Sequence, residues 1–255
     1  SAEQVAKQSY FMGHNDEITA LDVHVATGIA ASGNKGSGDI SVYLWNTATQ
    51  KTLKRISCGE VRAISAIAFN SSGSHIAVAC QDDAHTVKLF EVGSGSMVAS
   101  CAGGDNKVLG LAFSLARSGP IRILQYGVKH FRILEYDGTM GFTMKIGRFG
   151  TKVVDCLSGC SLPLPFEGGN EFVVGLSNGF TAFIPLGEST LSAPQPILPG
   201  TPVTALACAT LKEATVEEPP FFKVAVGGGG SQIKFVGPDM EVLQSLDLSR
   251  EEYGL

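Results

Sequence analysis

The run ITALDVH, residues 18–24, recurs in altered form at four later points of the chain. The later copies are ISAIAFN (64–70), VLGLAFS (108–114), VVDCLSG (153–159) and VTALACA (203–209). Successive copies begin 46, 44, 45 and 50 residues apart. A repeat of this length is typical of proteins in which one small structural unit is stacked many times. The spacing therefore predicts a repeat fold with five units in this chain.

Three more apolar runs follow each copy, so that every repeat holds four. The runs are short, rich in Val, Ile and Phe, and separated by Gly, Asn, Asp and Ser, which favours strands over helices. The predicted fourth strands are residues 52–57, 97–101, 141–146, 194–198 and 241–248. Four strands repeated every ~45 residues are typical of a β-propeller blade. We therefore predict an all-β fold of about five four-stranded blades, at approximately residues 13–58, 59–103, 104–148, 149–199 and 200–255.

Composition narrows the classes of function. The chain has 255 residues, of which 44% are hydrophobic and 17% charged, so that it can bury a sizeable core. Its net charge of −5, without long clusters of Lys or Arg, argues against bulk binding to nucleic acid or to anionic membranes. The six cysteines lie in or beside apolar runs and are expected to be reduced core residues.

A histidine precedes the first strand, in the stretch GHND at residues 13–16. It could be a catalytic or metal-binding residue, or a structural residue of the repeat. In the first repeat Gly13 and His14 are followed by Ser32, Asp39 and Trp45. This pattern resembles the WD40 repeat, although Asn46 replaces its final aspartate. The resemblance implies that His14, Ser32, Asp39 and Trp45 form a hydrogen-bonded structural network inside the first blade.

Residues 9–113 also resemble the echinoderm microtubule-associated-protein-like family. The resemblance rests on YFMGHND, on the long second-to-third-strand loop and on AISAIAF followed by DDAHTVKLF. Val25 and Phe90 depart from the family pattern, which has proline and tryptophan there. The family's basic, coiled-coil amino-terminal region is absent. The resemblance implies a cytoplasmic, cytoskeleton-associated interaction scaffold whose partner is tubulin or a microtubule-associated assembly, with weak affinity for the polymer itself.

WD40 rings usually have seven blades, so the resemblance also implies a larger ring. We expect residues 1–12 to be a lead-in and closing outer strand, with SYFMG (9–13) as that strand. The fifth repeat supplies its own fourth strand, which leaves no unfinished blade for this segment to complete. We therefore expect an open arc from a longer ring, with self-association through the open blade edges as one outcome and a closed five-bladed ring as the alternative.

The sequence contains only weak matches to catalytic, phosphate-binding and metal-binding motifs. GLSNG (175–179) matches the nucleophile elbow, but a strand follows Ser177 where the elbow needs a helix. GGGG (227–230) is followed by a strand, and not by the helix of a phosphate loop. QDDAH (81–85) could hold a divalent ion but reads as a polar hairpin tip. No catalytic, cofactor-binding or metal-binding residue is predicted, and the chain is not expected to be an enzyme.

Two hypotheses of function remain from the sequence. The first is the cytoskeletal scaffold that the family resemblance implies. The second is a WD40 adaptor subunit of another complex, such as one for ubiquitin ligation or trafficking. Long loops at residues 159–169 and 210–220, the second of which contains Glu213, Glu217 and Glu218, are candidates for partner contacts.

Overall fold

The structure is a computed structural model that describes residues 9–116, 119–139, 141–150, 152–163, 169–212 and 221–249. These residues form nineteen β-strands in five antiparallel sheets and no helix. No segment of the described chain is therefore a helix able to cross a membrane. The prediction of an all-β fold with five repeated sheets of WD40 blade type is confirmed.

In every sheet, each strand pairs with the next strand along the chain. The first sheet contains β1 (Ile18–His24), β2 (Ile29–Asn34), β3 (Asp39–Asn46) and β4 (Thr52–Glu60). The second contains β5 (Ile64–Phe69), β6 (His75–Cys80), β7 (Val87–Glu91) and β8 (Met97–Cys101). The third contains β9 (Val108–Phe113), β10 (Ile121–Gly127), β11 (His130–Tyr136) and β12 (Thr143–Ile146). The fourth contains β13 (Cys156–Ser161), β14 (Asn170–Leu176) and β15 (Thr181–Pro185). The fifth contains β16 (Val203–Lys212), β17 (Phe221–Gly228), β18 (Gln232–Val236) and β19 (Val242–Asp247).

The fourth sheet differs from the prediction because its expected fourth strand, residues 194–198, does not form. Gln195 forms an isolated bridge with Thr181 through two backbone hydrogen bonds of 2.8 and 2.9 Å, and the Leu198 N–H donates to the carbonyl of Gly179 at 2.9 Å. Pro194 and Pro196 flank Gln195, and their rings fix φ at about −65°, away from the extended backbone of a regular strand. The first strand of this sheet also begins at Cys156, three residues later than predicted.

The core lies between the sheets. Each of its four apolar clusters joins residues of two consecutive sheets, and the first strands β1, β5, β9, β13 and β16 pack side by side in chain order. β1 and β16 stand at the two ends of this row. Apolar side chains are exposed on the first and fifth sheets, including Leu21 and Val23 on β1 and Val242 and Leu243 on the outer strand β19. This is the arrangement that makes each repeat depend on its neighbours for burial.

Polar contacts also join the first strands across the seams between sheets. Thr19 on β1 donates its hydroxyl to the carbonyl of Ile64 at 2.7 Å. The Asp22 carboxylate accepts the backbone N–H of Phe69 at 2.7 Å. Asp22 is therefore a structural acceptor that fixes the second sheet against the first.

Candidate interaction site around the first two sheets

His14 lies against the first sheet and not free in solvent. Its Nε2 is 2.7 Å from Ser32 Oγ, and Trp45 Nε1 donates to the same hydroxyl at 3.0 Å. Ser32 is fully buried on β2, where water does not reach its hydroxyl. Without these two partners the hydroxyl would have no hydrogen bond from a side chain. Burial lowers the pKa of His14 below its ordinary value of 6.5, while hydrogen bonding to the Asn34 side chain and the Ser32 backbone partly offsets that effect. His14 is thus held as a neutral ring joining the lead-in segment to β2.

Aromatic contacts fix the same segment on β3. The rings of Phe11 and Trp45 stack with centroids 4.7 Å apart and planes 3° from parallel. The rings of His14 and Tyr43 meet edge to face, with centroids 4.7 Å apart. Residues 9–13 pack here without strand structure, while residues 1–8 lie outside the described residues. The segment therefore covers part of its own sheet, and its assignment as a closing outer strand stays a prediction.

The structure places Asp39 away from the other three members of the expected network. Its Oδ1 accepts the Ser57 hydroxyl at 2.5 Å and the Gly59 N–H at 3.1 Å, both from β4. Gly59, at φ 78°, lies in a β-bulge where two residues of β4, Cys58 and Gly59, oppose one residue of β3, Ile40. Asp39 begins β3 beside β4, so its carboxylate serves the bulge and not His14.

A cavity of about 550 Å³ opens between the first and second sheets. Its walls are residues 36–38, 60–62 and 81–83. Arg62 pairs with Asp83 at 2.7 Å, which lowers the pKa of that exposed carboxyl, and Asp82 accepts the N–H of Thr86 at 2.8 Å. Glu60 adds another exposed carboxylate. The QDDAH motif therefore forms a hydrogen-bonded hairpin tip at this cleft.

The remaining motifs take structural positions. Ser177 lies in the turn between β14 and β15, as predicted, and its N–H donates to the carbonyl of Asp155 at 3.0 Å. Gly227 and Gly228 end β17, and β18 follows after a short bend. Within the described ranges, no group of three or more His, Cys, Asp or Glu side chains could hold a metal ion. Most of the long-loop residues proposed for partner contacts, including Glu213, Glu217 and Glu218, lie outside the described residues.

A buried ion cluster between the third and fourth sheets was missed by the sequence reasoning. Arg122 on β10 pairs with Glu135 on β11 at 2.5 Å and with Glu171 on β14 at 3.0 Å. Glu171 is fully buried, and Lys145 contacts Glu135 from β12 at 3.0 Å. A charged residue inside each of the apolar runs IRILQY and NEFVVGL was the available signal. The cluster fixes the third sheet to the fourth.

Comparisons with known proteins find similarity to WD-repeat proteins. No family model matches the chain. The chain is 27% identical over 154 residues to the ciliary WD repeat-containing protein ctxp80 of Euplotoides octocarinatus, covering 60% of the chain and 21% of that protein. It is 26% identical over 180 residues to the 77 kDa echinoderm microtubule-associated protein of Strongylocentrotus purpuratus, covering 68% of the chain and 25% of that protein. It is 32% identical over 94 residues to the rat echinoderm microtubule-associated protein-like 1, covering 33% of the chain and 12% of that protein.

These relatives show that the chain, with its five sheets, is similar to WD-repeat proteins. Its similarity to the echinoderm microtubule-associated proteins confirms the family resemblance that the sequence predicts. The chain spans about a fifth to a quarter of the length of the first two of these relatives.

Proposed function

We propose that the chain is a non-catalytic WD-repeat scaffold of the cytoplasmic cytoskeleton that binds tubulin or a microtubule-associated assembly. The observation that carries the proposal is the similarity to a microtubule-associated protein over 68% of the chain. The ciliary relative supports the same cellular setting. The adaptor hypothesis, in which the scaffold serves ubiquitin ligation or trafficking, is the alternative that the experiment must separate from it.

The physical properties of the described chain suit a scaffold. Apolar clusters and polar seam contacts fix the sheets to one another, so loops at the strand ends are held on a rigid support. The polar groups that could suggest chemistry are engaged in packing: His14 with Ser32, Asp82 with Thr86, and Asp22 with Phe69. A rigid surface needs no ordering on binding, which lowers the entropic cost of association.

The test is co-elution with purified tubulin dimers in size-exclusion chromatography. The proposal predicts a complex that elutes ahead of both components. Trp45→Ala removes both the Ser32 hydrogen bond and the Phe11 stack. It should weaken the complex if residues 9–14, the His14 segment, contact tubulin. Leu53→Thr, on the outer strand β4, is the matched control. Absence of a complex, together with capture of a ubiquitin-ligase or trafficking component by the immobilised chain, would favour the adaptor hypothesis.

We also propose self-association through the exposed ends of the sheet row. Leu21 and Val23 point away from the second sheet and are 59% and 41% exposed on a first strand, whereas the equivalent positions of inner sheets are covered by a neighbour. Uncovered apolar area favours association at ~25 cal/mol per Å². A concentration-dependent rise in sedimentation coefficient is expected, and Leu21→Thr should abolish it. Leu53→Thr, at 53% exposure, is the matched control. A constant monomer value at high concentration would overturn this proposal.

A further inference from the structure

Two buried cysteines meet where the first sheet packs on the second. Cys58 lies near the end of β4 and Cys80 ends β6, and both belong to the apolar cluster between these sheets. The exposed fraction is 1% for Cys58 and 0% for Cys80, and the two thiols lie within hydrogen-bonding reach. The two side chains are free thiols in the structure.

Cys58 lies in the bulge that Asp39 stabilises. The Asp39 carboxylate binds Ser57 and Gly59, the residues on either side of Cys58. Cys58 follows Ile56 by two positions, and both side chains are buried in the cluster against the second sheet. The alternation of side chains along β4 therefore directs Cys58 toward the sheet that carries Cys80.

Lys88 brings a positive charge to the pair. It lies on β7 opposite Val78, two residues before Cys80 on β6, and its Nζ donates to the backbone carbonyl of Cys58 at 2.6 Å. The neighbouring Cys58 thiol and Lys88 lower the pKa of Cys80, while the contact with Cys80 and burial raise the pKa of Cys58. Burial raises the pKa of the other four cysteines to about 11 or 12. Cys80 is thus the thiol of this chain best suited to form a thiolate.

We propose that Cys58 and Cys80 are an oxidation site, at which a hydroperoxide converts the two thiols into a disulfide that links the first sheet to the second. The Cys80 thiolate attacks the terminal peroxide oxygen, which breaks the O–O bond, gives Cys80 sulfenic acid and releases one water from hydrogen peroxide after protonation. The Cys58 sulfur then attacks the Cys80 sulfur. The S–S bond forms, the S–OH bond breaks, and the hydroxide takes the Cys58 proton to leave as a second water. The two thiols together lose two electrons, and these reduce one hydrogen peroxide to two waters.

The cleft between the sheets gives the oxidant its approach. Residues 60–62, which line the cavity, follow Cys58 by two positions, and residues 81–83 directly follow Cys80. Under the proposal, peroxide reaches the two sulfurs from the cleft when this seam opens. Once formed, the disulfide ties together two sheets that otherwise separate when the seam opens, and it restricts the unfolded chain between residues 58 and 80.

The test uses the full chain treated with hydrogen peroxide, quenched in acid, alkylated under denaturing conditions and digested with trypsin. Mass spectrometry should detect the peptide Ile56–Arg62 joined to Ala63–Lys88, with a mass two hydrogens below the sum. The midpoint of thermal unfolding should rise by about 5 °C and return on reduction with dithiothreitol. Cys160→Ser should leave the linked peptide intact, and Cys80→Ser should remove it.

A second comparison separates chemical assistance from simple proximity. Lys88→Met removes a trypsin site, so the Cys80 peptide becomes Ala63–Lys107 and fragmentation must assign the linked cysteine as Cys80 and not Cys101. Formation of this Cys58–Cys80 link should be about tenfold slower because Cys80 loses its neighbouring cation, whereas Lys88→Arg should retain most of the rate. Circular dichroism of each variant establishes that it is folded. Full alkylation of Cys58 and Cys80 after peroxide treatment that oxidises Cys101 or Cys208 would overturn the proposal. So would a linkage of Cys58 or Cys80 to any other cysteine.

Discussion

The Nζ of Lys88 on the second sheet donates to the backbone carbonyl of Cys58 on the first, at 2.6 Å. The same arrangement recurs at other seams. Arg132 on β11 donates to the carbonyl of Ala102 at 3.0 Å, and Lys234 on β18 donates to that of Ile197 at 2.8 Å. In each case a cation on a third strand binds a backbone carbonyl from the carboxyl-terminal part of the preceding repeat. This repeated contact ties consecutive sheets together by their backbones.

Removing the Lys88 ammonium should destabilise the fold. Lys88→Met keeps the aliphatic stem but leaves the Cys58 carbonyl without its charged donor, so the free energy of unfolding should fall by about 1–2 kcal/mol. Lys88→Arg should stay within about 0.5 kcal/mol of the wild type. Urea titrations followed by tryptophan fluorescence measure both. Equal stability of the methionine variant would show that the contact contributes nothing to the seam.

The His14 segment offers a graded test of its hydrogen bonds and stacking. Trp45→Phe removes the indole N–H that binds Ser32 but keeps a ring against Phe11, and should cost about 1 kcal/mol. Trp45→Ala removes both contacts and should cost about 3 kcal/mol. His14→Ala should cost ~1–3 kcal/mol because the buried Ser32 hydroxyl loses a partner. Circular dichroism during denaturation measures all three, since Trp45 is the single tryptophan. If all three variants lose the same amount, the stacking contributes little.

Stability should decrease in mildly acidic solution. Burial lowers the pKa of His14, His75 and His130 below 6.5 in the folded chain. The unfolded chain therefore binds more protons than the folded chain once the pH falls to about 6.5, and the free energy of unfolding drops until the folded pKa values are passed. Asp83 and Asp137, whose pKa values are lowered, add a further loss only below 3.8. Unfolding curves at pH 7.5 and 5.5 test this, and His14→Ala should show the shallower dependence. A stability that rises on acidification would contradict it.

The buried ion cluster should be far more sensitive than an exposed ion pair. Glu171→Gln leaves the Arg122 charge buried beside a neutral side chain and should cost about 3 kcal/mol. Glu17→Gln disrupts the exposed pair with Lys35 and should cost less than about 1 kcal/mol. Thermal and denaturant unfolding of both variants give the comparison. Equal losses at the two sites would mean that burial does not set the energetics of the Arg122 cluster.

The repeat itself could be predicted from the sequence because apolar runs at a regular spacing reflect sheets that must bury the same positions. Ile18, Ile64, Val108 and Val203 begin their strands where the pattern places them. The prediction of a fourth strand at residues 194–198 was wrong because Pro194 and Pro196 hold φ at about −65°, and apolar content alone does not report that restriction of the backbone.

Side-chain partners were harder to predict than strands. The spacing of His14, Ser32 and Trp45 follows the repeat pattern, and the structure brings these three together. Asp39 could not be placed, since its partner is a β-bulge in β4 that depends on Gly59 adopting a positive φ. Arg122 and Glu171 each stand out as a charged residue inside an apolar run, but they lie 49 positions apart on different sheets, so the sequence does not show that they pair.

The most direct test of the scaffold proposal is sedimentation velocity of the fluorescently labelled chain with increasing tubulin, once as unpolymerised dimers and once as stabilised microtubules. The chain carries a net charge of −5, so attraction to acidic polymer surfaces is not its source of affinity. We predict a faster-sedimenting complex with the dimers, and little co-pelleting with the polymer. Tight co-pelleting with microtubules that disappears as salt is raised, or no complex with either form, would contradict the account.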